Sequence, residues 1–155
     1  MTAPIAVFPG TFDPITNGHV SIVRRALPLF KKLVIGVGVN STKKTLFTEE
    51  QRLAWARLAF ASEPNVEVVS FAGLTVDLCK RMGADFIVRG LRNSTDHGYE
   101  RSIALMNRHL SEVETIFLPS APEHAHISST IVRELLANGA DVSALVPPGV
   151  VTKLP

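Results

Sequence analysis

A single cysteine, Cys79, occurs among the 155 residues, so no disulfide can form within the chain and its stability has to come from a packed core. Cys79 lies in an apolar-periodic stretch, where a core thiol is expected. No apolar run approaches the ~20 residues a membrane helix needs. The sequence starts Met-Thr-Ala-Pro, without the basic region and apolar run of a signal peptide. Charge of one sign is also scarce: the formal net charge is +2, too small by itself to imply nucleic-acid binding. These absences set the expectation of a cytoplasmic protein with neither a membrane nor a nucleic-acid partner. The G-x-G-x-x-G pattern, the P-loop and the G-x-S-x-G elbow are all missing. His109, His124 and His126 show no metal-ligand spacing, so no resident metal is expected.

What is present is a steady alternation of strand and helix signals. Apolar residues make up 46% of the chain and charged residues 19%, a globular balance for one domain, taken as residues 1–155. Strands are expected over Ile5 to Phe8, Leu33 to Val39, Val66 to Phe71, Phe86 to Val88 and Thr115 to Leu118. Helices are expected over Gly18 to Leu27, from Thr48 to about Ala61, over Val76 to Met82, from about Tyr99 to Leu110, and from Ser128 or Ser129 to before Gly139. Thr48-Glu49-Glu50-Gln51 reads as a capping box, and Gly83 as a helix C-cap. The Pro-rich tail after Ala140 has room for one more helical turn. Five apolar strands separated by helices imply an α/β domain with a five-stranded parallel sheet flanked by helices.

In such sheets ligands bind beyond the carboxyl ends of the strands, and the unusual residues of this chain fall there. Gly10 to His19 follows the first strand. Gly10 frees the backbone for close approach, Thr16 or Asn17 can cap the next helix, and His19 falls in its first turn, where unpaired N–H groups favour phosphate. Asn40 to Lys44 follows the second strand, and position does not choose between Lys43 and Lys44 as the cation that reaches a phosphate. Arg89-Gly90-Leu91-Arg92 follows the fourth, and arginine suits bidentate phosphate binding; pairing with Asp96 or Glu100 is the alternative. Ile127-Ser128-Ser129-Thr130 opens the last helix with more hydroxyls than a cap requires. Cations, hydroxyls and helix starts without a nucleophile motif suit phosphoryl or nucleotidyl transfer.

Pro9-Gly10-Thr11-Phe12-Asp13-Pro14 with Thr16-x-Gly18-His19 resembles the T/H-x-G-H motif of the nucleotidylyltransferase superfamily. Arg89-Gly90-Leu91-Arg92, Tyr99-Glu100, Met106-Asn107-Arg108-His109-Leu110 and Ile127-Ser128-Ser129-Thr130 narrow the resemblance to the bacterial phosphopantetheine adenylyltransferases. It covers nearly the whole chain in order and spacing. It implies a Rossmann-like fold and direct adenylyl transfer from ATP to 4'-phosphopantetheine, with Mg²⁺ delivered on ATP. Dephospho-coenzyme A or coenzyme A would be further ligands, and the assembly would be a homohexamer, a dimer of trimers.

By the same resemblance His19, Lys43 and Arg92 are catalytic. Gly10, Thr11, Phe12, His19, Gly90, Leu91, Arg92, Glu100 and the segment His124, Ala125, His126, Ile127, Ser128, Ser129, Thr130 bind the nucleotide. Thr11, Lys43, Leu74, Thr75, Arg89 and Asn107 bind the acceptor. The chain departs from the family at His97 and Gly98, and at His124 and His126, where aromatic residues are common. Two alternatives are a transferase of the same superfamily with other substrates and a nucleotide-binding regulatory module without catalysis.

Overall fold

A computed structural model describes residues 3–40 and 42–150. Ser41, within the Asn40 to Lys44 segment, and both ends of the expected 1–155 domain, including the last five residues of the tail, lie outside the described residues.

Five strands form one all-parallel sheet in the order β3-β2-β1-β4-β5. They are β1 (Ile5–Gly10), β2 (Lys32–Gly38), β3 (Val66–Phe71), β4 (Phe86–Leu91) and β5 (Glu114–Pro119). The helices are α1 (Asn17–Ala26), α2 (Glu49–Ala59), α3 (Thr75–Met82), α4 (Ser94–Ser111) and α5 (Ser129–Ala137). The central strand is β1, and the strand order reverses between it and β4, which opens a crevice at their carboxyl ends.

Both faces of β1 and β2 are buried, which is why these strands read as continuous apolar runs. Ala6, Phe8, Leu33, Ile35 and Val37 point to one face, against Val23 and Ala26 of α1, Ala56 of α2 and Val132 of α5. Val7, Val34 and Ile87 point to the other, against Leu78 and Cys79 of α3. Cys79 is fully buried, as the sequence indicates.

The capping signals hold in detail. Thr48 Oγ1 accepts from the Gln51 N–H while Gln51 Oε1 accepts from the Thr48 N–H. Gly83 closes α3 in the left-handed conformation, at φ 62°.

Four stretches differ from the expectation. Strand β1 continues past Phe8 to Gly10, because Pro9 and Gly10 pair with Gly36 and Val37 of β2. Strand β4 continues past Val88 to Leu91, because Arg89, Gly90 and Leu91 pair with Phe117, Leu118 and Pro119 of β5. Thus Arg89 to Leu91 end the strand rather than follow it. Helix α4 begins at Ser94 instead of Tyr99; Asn93 caps it by accepting the Asp96 N–H at 2.9 Å, a signal masked by Gly98 inside the helix. The tail after Ala140 forms turns up to Val150 and no further helix. It is tied down instead by the Asn17 N–H on the Leu145 carbonyl, 2.9 Å, and by burial of Val142, Val146 and Val150.

Candidate active site

Two cavities meet at the carboxyl end of β1. One, about 340 Å³, lies between the loop after β1, α1 and the start of α5. The other, about 350 Å³, lies between the ends of β1, β2 and β4 and the inner side of α4. Their shared wall is Pro9, Gly10, Thr11, Lys43, Arg89 and Glu100.

The first cavity is organised by the start of α1. Thr16 is the N-cap, and the N3 position, where a capping box usually has Glu or Gln, holds His19. The Thr16 backbone N–H donates to His19 Nδ1 at 3.0 Å, and Thr16 Oγ1 accepts the His19 N–H at 3.4 Å. A ring nitrogen that accepts cannot carry the proton, so neutral His19 bears its hydrogen on Nε2. The ring packs edge-on against Phe12, centroids 5.0 Å apart, and Phe8, 6.3 Å. Removal from water lowers its pKa to about 4, with the positive charges of Arg89 and Arg92 adding to the effect. His19 is therefore a neutral donor at pH 7.

Gly10 has a packing reason beyond close approach: a Cβ there would meet the Phe12 ring at 2.9 Å. Phe12 itself sits at φ 50°, a conformation rare for a bulky residue. The residue as a whole is buried, at 2% exposure, and lines the cavity from within the core.

Cations converge on the shared wall. Lys43 Nζ donates to Thr11 Oγ1 at 3.2 Å. Arg89 Nε and Nη2 donate to the two Glu100 oxygens at 2.9 and 2.5 Å, while Nη1 donates to the Pro9 carbonyl at 2.6 Å. Arg92 pairs with Asp96 at 3.1 Å. The pairing alternative is thus realised for both arginines, Arg89 with Glu100 and Arg92 with Asp96, and both residues still line a cavity. The alternation of β4 explains how: Gly90 faces Ile22 of α1, where a Cβ would meet Ile22 Cγ1 at 3.0 Å, so Arg89 faces the opposite side, where α4 supplies Glu100.

At the start of α5, Ser128 Oγ caps by accepting the Ile131 N–H at 3.2 Å. The Ser129 hydroxyl donates to the Pro14 carbonyl at 2.8 Å, so its proton is committed to the β1–α1 loop. Thr130 Oγ1 accepts from Arg133 at 3.2 Å and keeps its own proton.

Of the expected nucleotide residues, Gly10, Thr11, Phe12, His19, Gly90, Arg92, Glu100, His124 and Ile127 to Thr130 line the first cavity. Leu91, Ala125 and His126 do not. Leu91 stands on the β4 face opposite Gly90, and His126 is exposed. Of the acceptor residues, Thr11, Lys43, Thr75, Arg89 and Asn107 line the second cavity, while Leu74 stands outside it, 56% exposed at the N-cap of α3.

Sequence reasoning missed three polar residues. Asp13 is 4% exposed and accepts the Leu46 and Phe47 N–H groups, each at 2.9 Å. Arg133 donates to the Asp13 carbonyl at 2.7 Å from α5. Arg52, 3% exposed on α2, donates to the Thr11 and Gly38 carbonyls.

A parallel sheet whose strand ends gather cations, a neutral histidine donor and two helix N-termini around paired cavities is the arrangement of a nucleotidyl-transferring protein. The comparisons agree. A model of the cytidylyltransferase-like family matches residues 7–135. The phosphopantetheine adenylyltransferase of Flavobacterium psychrophilum is 51% identical over 96% of this chain and 98% of its own. That of Leuconostoc citreum is 52% identical over 95% and 93%. In fold, the chain is similar to a bifunctional NMN adenylyltransferase/ADP ribose pyrophosphatase from Francisella tularensis, with TM-score 0.71 and 20% identity over 94% of this chain and 45% of that one. The chain belongs to the cytidylyltransferase-like family and, within it, to the phosphopantetheine adenylyltransferases.

Proposed function

We propose that the protein transfers the adenylyl group of ATP to 4'-phosphopantetheine, giving dephospho-coenzyme A and pyrophosphate. The observation that carries this reading is the shared wall: Thr11, Lys43 and Arg89 stand between two cavities, where the phosphate of one substrate would meet the α-phosphate of the other. The nucleotide occupies the cavity of His19, Arg92 and the α5 start. The pantetheine arm occupies the cavity of Thr75 and Asn107.

The acceptor phosphate is already ionised, so the attack needs no general base. Thr11, Lys43 and Arg89 orient that phosphate for in-line attack on the α-phosphorus. Charge then grows on the α-phosphate oxygens, and the Nε2–H of His19 donates to it from a fixed position. Arg92 and the N–H groups opening α5 take up charge on the departing pyrophosphate.

Mg²⁺ carried on ATP would supply charge neutralisation on the phosphates. The cleft carboxylates are committed, Asp13 to backbone N–H groups and Asp96 and Glu100 to arginines, so no residue of the chain is assigned to hold it. A homohexameric dimer of trimers in the cytoplasm is the assembly and place we infer. Exposed Leu105, Met106 and Leu110 on α4 support an interface there, and sedimentation equilibrium tests it.

The decisive assay is pyrophosphate release from ATP with 4'-phosphopantetheine, beside nicotinamide mononucleotide and glycerol phosphate, with CTP as alternative donor. Turnover with ATP and phosphopantetheine alone is expected. Turnover only with another pair would keep the family fold and replace the substrates. A folded chain that binds ATP without turning over any pair would favour the regulatory module.

A further inference from the structure

Arg52 is a buried cation with no salt-bridge partner among the described residues. Its Nη1 donates to the Thr11 carbonyl at 2.6 Å and to the Gly38 carbonyl at 3.0 Å, and its Nε has no hydrogen-bond partner. Burying a guanidinium against carbonyls alone is costly, and an apolar side chain would fill the space beneath a strand end at less cost. What the cation does achieve is specific. Gly38 ends β2 and Thr11 opens the loop after β1, so one nitrogen ties the two strand ends together at the shared wall of the cavities. Beyond Gly38 the chain runs to Lys43, whose Nζ returns to Thr11 Oγ1 at 3.2 Å. Thr11 is thus held from two sides, its carbonyl by Arg52 and its hydroxyl by Lys43.

We propose that Arg52 is a positioning residue for adenylyl transfer: through the Thr11 and Gly38 carbonyls it sets the alignment of Thr11 and Lys43 on the attacking phosphate. A misalignment of about 1 Å costs about 100-fold in rate, while substrate affinity depends on many other contacts. The proposal rests on the adenylyl-transfer reading. Turnover of the wild-type chain tests that reading, and the ratio of variant to wild type tests Arg52.

The experiment uses Arg52→Met, which keeps much of the volume, and Arg52→Lys, which keeps the charge but not the planar fork. Turnover is measured per ATP-binding site, with sites counted by calorimetric titration, so that any unfolded fraction is removed from the rate. The expected result is kcat about 100-fold lower for Arg52→Met, KM values for both substrates within about threefold, and partial recovery in Arg52→Lys. In a Lys43→Ala background the Arg52→Met step should shrink to less than about tenfold, since both act on Thr11. Wild-type kcat per binding site in Arg52→Met overturns the proposal. If Arg52→Met does not fold, Arg52→Lys decides alone: unchanged kcat, or an effect fully additive with Lys43→Ala, overturns it as well.

Discussion

The two cavities are built differently. The nucleotide cavity leans on α1 and α5, whose inner faces bury Val20, Ile22, Val23 and Ala26, and Val132 and Leu136. The acceptor cavity leans on α4, whose one buried residue is a charged side chain, Glu100. The first is held by core packing and closed capping geometry, so its groups stand in place before a substrate arrives. In the second, α4 meets the sheet through polar and edge contacts: the Arg89–Glu100 and Arg108–Glu114 pairs and His97 against Phe117. Chemistry should therefore depend most on the first cavity, and acceptor binding and local stability on the second.

The largest effect tests the packed side. Replacing His19 with alanine removes the Nε2–H donor and should lower kcat by at least about 100-fold, the range one oxyanion-type donor supplies. ATP affinity by calorimetry should change little. Near-normal turnover in a folded variant would take His19 out of the chemistry and dissolve the distinction between the cavities.

Next comes Arg89→Ala on the acceptor side. A charge-assisted contact is lost, so KM for phosphopantetheine should rise about tenfold or more while ATP affinity is nearly kept. The same change strands the Glu100 carboxylate at 11% side-chain exposure, so thermal stability should fall by about 1–3 kcal/mol. A titration in which ATP binding weakens and acceptor binding survives would exchange the roles of Arg89 and Arg92.

A smaller contrast separates neighbouring lysines. Lys43 reaches both cavities and bonds Thr11, whereas Lys44 lines only the nucleotide cavity. For Lys43→Ala, acceptor KM should rise about tenfold, and kcat should fall too because the attacking phosphate loses one of the groups that align it. For Lys44→Ala the steady-state constants should stay within about threefold, as for a surface change. Equal losses would mean that the loop presents both cations.

These differences also mark how far the sequence could be read. The packed side is written in local signals: Thr16 and His19 stand three apart, Ser128 opens α5, and strand runs buried on both faces announce the sheet. The tautomer of His19 was beyond reach, because it depends on a bond to the Thr16 backbone. Arg52 was missed because its partners are backbone carbonyls, which have no identity in a sequence, and Arg133 because its shortest bond, to the Asp13 carbonyl, spans 120 residues. A signal for Arg52 did exist: it lies four residues before Ala56 and eight before Phe60, on the inward stripe of α2. On the open side, the start of α4 was set too late because Gly98 breaks the helical pattern, and that error hid how Glu100 comes to face Arg89.

The smallest expected effect is an absence. With its pKa near 4, held down by burial and by Arg89 and Arg92, His19 stays neutral across the physiological range. Its donor is then present at every such pH, so log kcat should show no inflection near 6.5 that belongs to His19. Protonation would place a hydrogen on Nδ1, against the Thr16 N–H, so activity should fall only as pH approaches 4. Stability has the same sign: the unfolded histidine binds its proton near 6.5 and the folded one near 4. Between those values the unfolded chain holds more protons, and this contribution is lost as pH falls through the window. An inflection near 6.5 that persists in His19→Ala belongs to another group; one that vanishes there would show that His19 titrates openly, and that the packed side is no drier than the open one.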